Sequence, residues 1–224
     1  MSTFESVTIE RDDEAHFPVG LLDLPASAVP ERLHAIGNLE LLSDLSTSGL
    51  VVTGSRASTG YGEHITMQIV SDILHDNPST IIASGGAYGI EGMAIRAALA
   101  CESQPVVWLS GGIGVFYPSG HDVLFRRVIE AGGVVVSAHD DNTPPTREQF
   151  AQRNEFLGLA TYTTLVTEAG YRSGSLVVAD AAHAFGRHVY AVPGPITSAA
   201  SAGCHHLIRQ GIAQIATTSV DVIH

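Results

Sequence analysis

The chain has 224 residues, 45% hydrophobic and 15% charged, with a formal net charge of −12 and no Lys at all. That length carries one sizeable α/β core rather than two large domains, and an acidic chain whose cations are all Arg lacks the broad basic face that gathers nucleic acid by long-range attraction. No apolar run is long enough to cross a bilayer, and the start MSTFESVTIERDDEAHF has neither the basic residues nor the apolar centre of a signal peptide, so a cytoplasmic protein without membrane contact is expected.

Residues 1–49 read as an acidic N-terminal extension packed against a sheet edge, with nine acids against two Arg, net −7. Residues 50–224 hold fourteen acids and nine Arg, net −5, so any polyanion site must be local. The charge of the extension suits a strand mimic that covers such a site.

From residue 50 one pattern recurs: a β-branched run, a Gly or Ser corner, then a helical period. GLVVTGSR leads into a helix over 63–75, STIIASGGAYG into 90–101 and QPVVWLSGG into 121–131. GGVVVSA precedes a helix over 148–160, YTTLVTEAG one over 175–185, RHVYAVPG one over 202–210, and IAQIATT closes the series. Continuous Val/Ile/Leu strands alternating with helices predict an α/β, doubly wound, mostly parallel sheet of extended Rossmann-like fold over 50–224. Ligands of such sheets bind outside the carboxyl ends of the strands.

The corners carry the chemistry. After the first of these strands, Gly54 and Ser55 permit a tight turn, and Arg56 offers a fork of donors matched to phosphate or, alternatively, to a surface carboxylate. The turn is neither GxGxxG nor GK[ST], which lowers the dinucleotide and P-loop readings. After the second, Gly85, Gly86 and Gly89 allow close approach of a ligand at a helix N-terminus, or simply close helix packing, and Tyr88 adds a stacking face. Tyr117 and Pro118 form an aromatic wall after the third. Arg153 and Asn154 lie in a helix beside Phe150 and Phe156, with Arg147 on the preceding turn, suited to holding a phosphate or a neighbouring loop.

Glu168 ends the fifth apolar run and is expected to point into the same cleft as Arg56. Ser173, Gly174 and Ser175 open the next helix with hydroxyls for capping or anion contact. Cys101 and Cys204 read as reduced and unpaired. Cys204, His205 and His206 are consecutive on a helix and diverge by roughly 100° per residue, so no metal and no cofactor are expected.

Taken in order, PERLHAIGNLELL, VVTGSRASTGYGE, SGGAYGIEGMA, VFYPSGHDVLFRRVIEAGG, FAQRNEFLGLA, VTEAGYRSGSLVVADAA and GRHVYAVPGPITSAASAG resemble the DprA/Smf family, the DNA-processing proteins of natural transformation. The resemblance runs from Pro30 to Ile223. It implies single-stranded DNA binding in a pocket of the Rossmann-like domain, homodimerisation through that domain, and help in loading a RecA-type recombinase, with no catalytic residue. By matching motifs it assigns DNA contact to Ser55, Arg56, Gly85, Gly86, Gly89, Arg153, Asn154, Ser173, Gly174 and Ser175; Tyr88 and Tyr117 join them as faces for base stacking, and Glu168 is left as an acid that orients Arg side chains or loop amides.

The sequence departs from the family at Tyr88, often Lys or Arg; at Glu91, usually Asp; at Arg96, usually His; and at His205–His206, where an Asn is common. The winged-helix module and full helical N-terminal domain of many members are not expected. The competing reading is a nucleotide sensor or a nucleoside-monophosphate phosphoribohydrolase of a related Rossmann-like family. Those enzymes carry a glutamate where Val177 and Val178 stand, and an apolar side chain neither moves a proton nor stabilises a cation.

Overall fold

In the run GLVVTG, alternate side chains serve opposite faces of one sheet. Leu50 and Val52 pack on one side with Ile82 and Leu165, while Val51 packs on the other with Ala83, Val106 and Trp108. The computed structural model that establishes this describes residues 4–222; residues 1–3 and 223–224, including Ile223 at the end of the resemblance, lie outside the described residues.

In chain order the main elements are β1 (Val7–Glu10), β2 (Arg32–Gly37), α1 (Glu40–Ser48), β3 (Gly49–Gly54), α2 (Gly60–Asp76), β4 (Ile81–Ser84), α3 (Ile90–Ala100) and β5 (Val106–Trp108). There follow α4 (Asp122–Glu130), β6 (Val134–Ser137), α5 (Arg147–Ala160), β7 (Thr163–Glu168), α6 (Ser175–Ala184), β8 (His188–Ala191), α7 (Ala202–Arg209) and β9 (Gln214–Ile215). The six helices expected from periodicity are all present. α2 starts earlier than its apolar period because the Thr59 hydroxyl accepts from the Gly62 amide, 3.2 Å away, and caps the helix there.

Among the described residues nine strands form one sheet in the order β1-β2-β6-β5-β4-β3-β7-β8-β9. Pairings from β6 through to β9 are parallel; β1–β2 and β2–β6 are antiparallel. Residues 1–49, read from sequence as an extension, thus contribute β1 and β2 to the sheet, while Leu41, Leu42 and Leu45 of α1 join the main core. That core also takes Phe156, Leu157 and Leu159 of α5 and Val178 of α6. Ile69, Val70 and Ile73 of α2 and Ile90 and Ala94 of α3 cover the opposite face. Each of these large apolar side chains contributes about 1.5–3 kcal/mol by leaving water, so the sheet is held from both sides and its carboxyl edge is a rigid platform.

Candidate functional site

The strand order reverses at β3: β4, β5 and β6 run off one side, β7, β8 and β9 off the other. In a parallel sheet the connecting loops part at such a reversal and leave a crevice. A cavity of about 630 Å³ opens there, walled by the corners after β3 and β7, the first turn of α3 and one face of α5.

The corners are built on each other. The Ser55 amide donates to the Glu168 carbonyl at 2.7 Å, and the Ile90 amide donates to the Ser55 carbonyl at 3.1 Å, which joins β7, β3 and α3. Gly89 caps α3 with φ +74°, and a Cβ there would lie 2.2 Å from the Ser55 carbonyl oxygen, so only glycine permits this approach. Beyond it Arg56 is exposed and lays its guanidinium 4.5 Å from the ring centroid of Phe150.

Phe150 is placed by the start of α5. Thr146 and Gln149 form a reciprocal capping box, the Gln149 amide donating to the Thr146 hydroxyl at 3.3 Å and the Thr146 amide to Gln149 Oε1 at 2.7 Å. Helical spacing then sets Phe150, Arg153 and Asn154 on one face toward the cavity. Asn154 donates to the Gly174 carbonyl at 3.0 Å and holds the corner after β7, the loop-holding alternative read from sequence. Arg153 is buried beneath the cavity, its Nη1 3.3 and 3.2 Å from the two carboxylate oxygens of Glu91.

A second, smaller cavity adjoins the first and shares Arg56, Ala87 and Phe150 with it; Gly85, Tyr88, Ser110, Tyr117 and Pro118 complete its walls. Tyr88 and Tyr117 are about half exposed. Tyr117 meets Phe150 edge-on at 5.9 Å, and Tyr88 meets His121 edge-on at 4.8 Å. His121 is buried, and its Nδ1 lies 2.9 Å from the Gly86 carbonyl, so the ring carries its proton there as donor. Burial pushes its pKa below the ordinary value, against the opposing pull of that carbonyl. Gly86 lines neither cavity: it packs beneath Phe125 and Val107, so its part is to shape the corner.

The corner after β7 supplies Ser173, Gly174 and Ser175, with the two serine hydroxyls 2.8 Å apart and the Ser175 amide 3.4 Å from Ser173 Oγ. Glu168 departs from expectation. It is buried and turned away from Arg56, and its carboxylate accepts from the Thr59 amide at 2.7 Å and the Thr59 hydroxyl at 2.6 Å. It orients a loop amide and no arginine. A register shift between Thr53 and Gly54 pairs Gly54 with Glu168 and skips Thr167, so Thr167 and Glu168 both face α2 and simple alternation fails.

Four of the eleven arginines line the larger cavity, against one carboxylate, Glu91. Arg56, Arg147 and Arg172 are exposed and take part in none of the ion pairs among the described residues. The cavity is therefore a cationic island in an acidic protein. Arg147, Phe150, Glu91 and Arg172 were not among the site residues chosen from sequence. The Thr146-x-x-Gln149 box followed by Phe150 one turn before Arg153 was the available sign for the first two.

None of residues 4–49 lines the cavity, which leaves no cover of the site by the acidic segment among the described residues. Val177 lines the cavity wall. Cys204 is buried, His205 Nε2 lies 3.4 Å from the Gly194 carbonyl, and His206 meets Tyr171 edge-on, so the three diverge as the helix requires. No described helix is long and apolar enough to cross a membrane.

The model of DNA recombination-mediator protein A matches residues 8–224. The chain belongs to the DNA recombination-mediator protein A family. Within that family it is 39% identical over 199 residues to the putative DNA processing protein DprA of Mycobacterium tuberculosis, covering 89% of this chain and 50% of the relative. It thus spans half the length of that relative. The solved structure of DNA processing protein A from Streptococcus pneumoniae superimposes with a TM-score of 0.84 at 31% identity, covering 98% of this chain and 73% of that one. DNA processing protein A from Helicobacter pylori, described for its single-stranded DNA binding mode, has the same fold at a TM-score of 0.83 and 21% identity, covering 97% and 94% of the two chains. The α/β sheet described above is the fold of the DNA recombination-mediator protein A family.

Proposed function

We propose that the cleft at the β3–β7 reversal binds single-stranded DNA without strong sequence preference, in the cytoplasm, as a binding protein rather than an enzyme. The observation that carries this reading is the cationic island: three unpaired arginines, Arg56, Arg147 and Arg172, around the N-terminal turns of α3, α5 and α6. Guanidinium forks and helix N-termini both favour phosphate. Beside them Phe150, Tyr117 and Tyr88 offer aromatic faces, and base stacking tolerates every sequence because every base has a π-face. A Helicobacter protein of this fold is described as binding single-stranded DNA. With Val177 on the wall and Glu168 committed to Thr59, the cleft has, among the described residues, no free carboxylate for glycosidic chemistry.

Delivery of the bound strand to a RecA-type recombinase, and a homodimer that joins two clefts into one longer track, complete the proposal; the family's description as a recombination mediator supports the first. The test is fluorescence anisotropy of a labelled oligothymidine over a range of salt. Arg56→Ala should flatten the slope of log affinity against log salt by about 0.7, one phosphate contact. Phe150→Ala should instead weaken binding about tenfold or more at unchanged slope. Binding of a free nucleotide without the oligonucleotide would sink the proposal.

A further inference from the structure

Of the arginines around the cleft, Arg153 differs in kind. Its side chain is 4% exposed, whereas Arg56, Arg147 and Arg172 are open to solvent. Its Nη1 is shared between both oxygens of Glu91, whose own side chain is 6% exposed. Glu91 Oε1 also accepts from the Thr53 hydroxyl at 2.9 Å, and Oε2 from the Ala87 amide at 3.0 Å. The carboxylate is therefore saturated by β3, by the corner after β4 and by α5. The guanidinium occupies the space a side chain at residue 85 would need: a Cβ on Gly85 would lie 1.1 Å from Nη1. Arg153 Nε is enclosed as well, without an acceptor among the described residues.

A buried pair of this kind is neutral toward the cavity above it. Drawing Arg153 away to a phosphate would leave the Glu91 carboxylate buried without a counter-charge, which is strongly unfavourable. The pair ties α5, through Arg153, to β3 and α3, through Glu91. Phe150 lies one helical turn earlier, its ring centroid 5.9 Å from the same guanidinium, and the next residue, Asn154, holds Gly174.

We infer that Arg153 is a positioning residue and not a phosphate ligand: with Glu91 it forms a neutral clasp that fixes α5, and so Phe150 and Asn154, against the cleft. This deepens the strand-binding proposal and rests on it. The cations that meet the strand are then Arg56, Arg147 and Arg172.

The experiment compares wild type, Arg153→Met, and the double variant Glu91→Gln with Arg153→Met, whose neutral pair leaves no stranded charge. The single variant should bind the oligothymidine about tenfold or more weakly, because an unpaired carboxylate now underlies the cleft. The double variant, free of the stranded charge but still without the clasp, should recover only part of that loss and keep the wild-type salt slope. A double variant whose slope is flatter by about 0.7, as for Arg56→Ala, would make Arg153 a phosphate contact and overturn the inference. A second arm needs no DNA: phenylglyoxal should modify Arg56, Arg147 and Arg172 in the folded wild type and spare Arg153 until Glu91→Gln releases it. Modification of Arg153 at the rate of the other three would overturn the clasp by itself. If the wild type binds no oligonucleotide, the functional proposal falls and the labelling alone decides the clasp.

Discussion

Thr59 gives both of its polar hydrogens to the one carboxylate of Glu168, the amide to Oε2 at 2.7 Å and the hydroxyl to Oε1 at 2.6 Å. The acid at the end of the interior β7 strand is thereby the anchor of the loop that carries Arg56. Glu168→Gln would turn an amide group toward a donor and leave one half-buried Thr59 hydrogen without an acceptor. We expect a loss of about 1–3 kcal/mol in denaturant unfolding, together with weaker oligonucleotide binding as the loop loosens. An unchanged unfolding midpoint would show that the loop holds its shape without this tie.

Acidification tests the neutral ring beneath the Gly86 corner. Burial holds both His121 and His139 below the ordinary value of 6.5. As pH falls through 6.5 the unfolded chain takes up protons that the folded chain refuses, so stability declines toward the depressed folded values and is restored above 6.5. His121→Asn keeps a donor for the Gly86 carbonyl and removes one of the two groups. Its melting temperature should fall less steeply than that of wild type on going from neutral to mildly acidic buffer. Parallel profiles for the two proteins would assign the whole effect to other groups.

The two thiols should separate by reactivity. Cys101 is exposed, while Cys204 is buried and its pKa is pushed up to about 12, chiefly by burial. Little thiolate is then available at Cys204 near neutral pH. A chromogenic disulfide should titrate one thiol in the folded protein and two after denaturation. Rapid reaction of both in the native state would mean that the packing of α7 on β7 opens readily.

The parts of the fold that were legible in the sequence share one physical cause. Interior strands buried on both faces, such as VVW at β5 and the VVV of β6, must be apolar, and the corners between them and their helices must be small. The edge strands have no such signature. RLHAIG at β2 mixes exposed and buried positions, VTIE at β1 buries a single residue, and α1 is rich in Ser and Thr with no side-chain cap at its start. At the site, Arg56 and the corners after β3 and β7 could be placed because strand ends and helix starts fix them. The direction of Glu168 could not, since the skipped Thr167 reverses its face. The burial of Arg153 was hidden too, because it depends on Gly85 and Glu91, far away along the chain and adjacent only in space.

The central position of β3 also governs how the protein is made. Its partner β4 follows within a few tens of residues, but its other neighbour, β7, comes so late that Thr59 and Glu168 are 109 positions apart. At a synthesis rate of about 5–20 residues per second, one edge of this interior strand stays open for roughly 5–20 s, a template for mispairing until β7 arrives. A similar interval separates Arg56 from Arg172, so a nascent chain that has not yet reached Arg172 has no cleft in which to hold a strand.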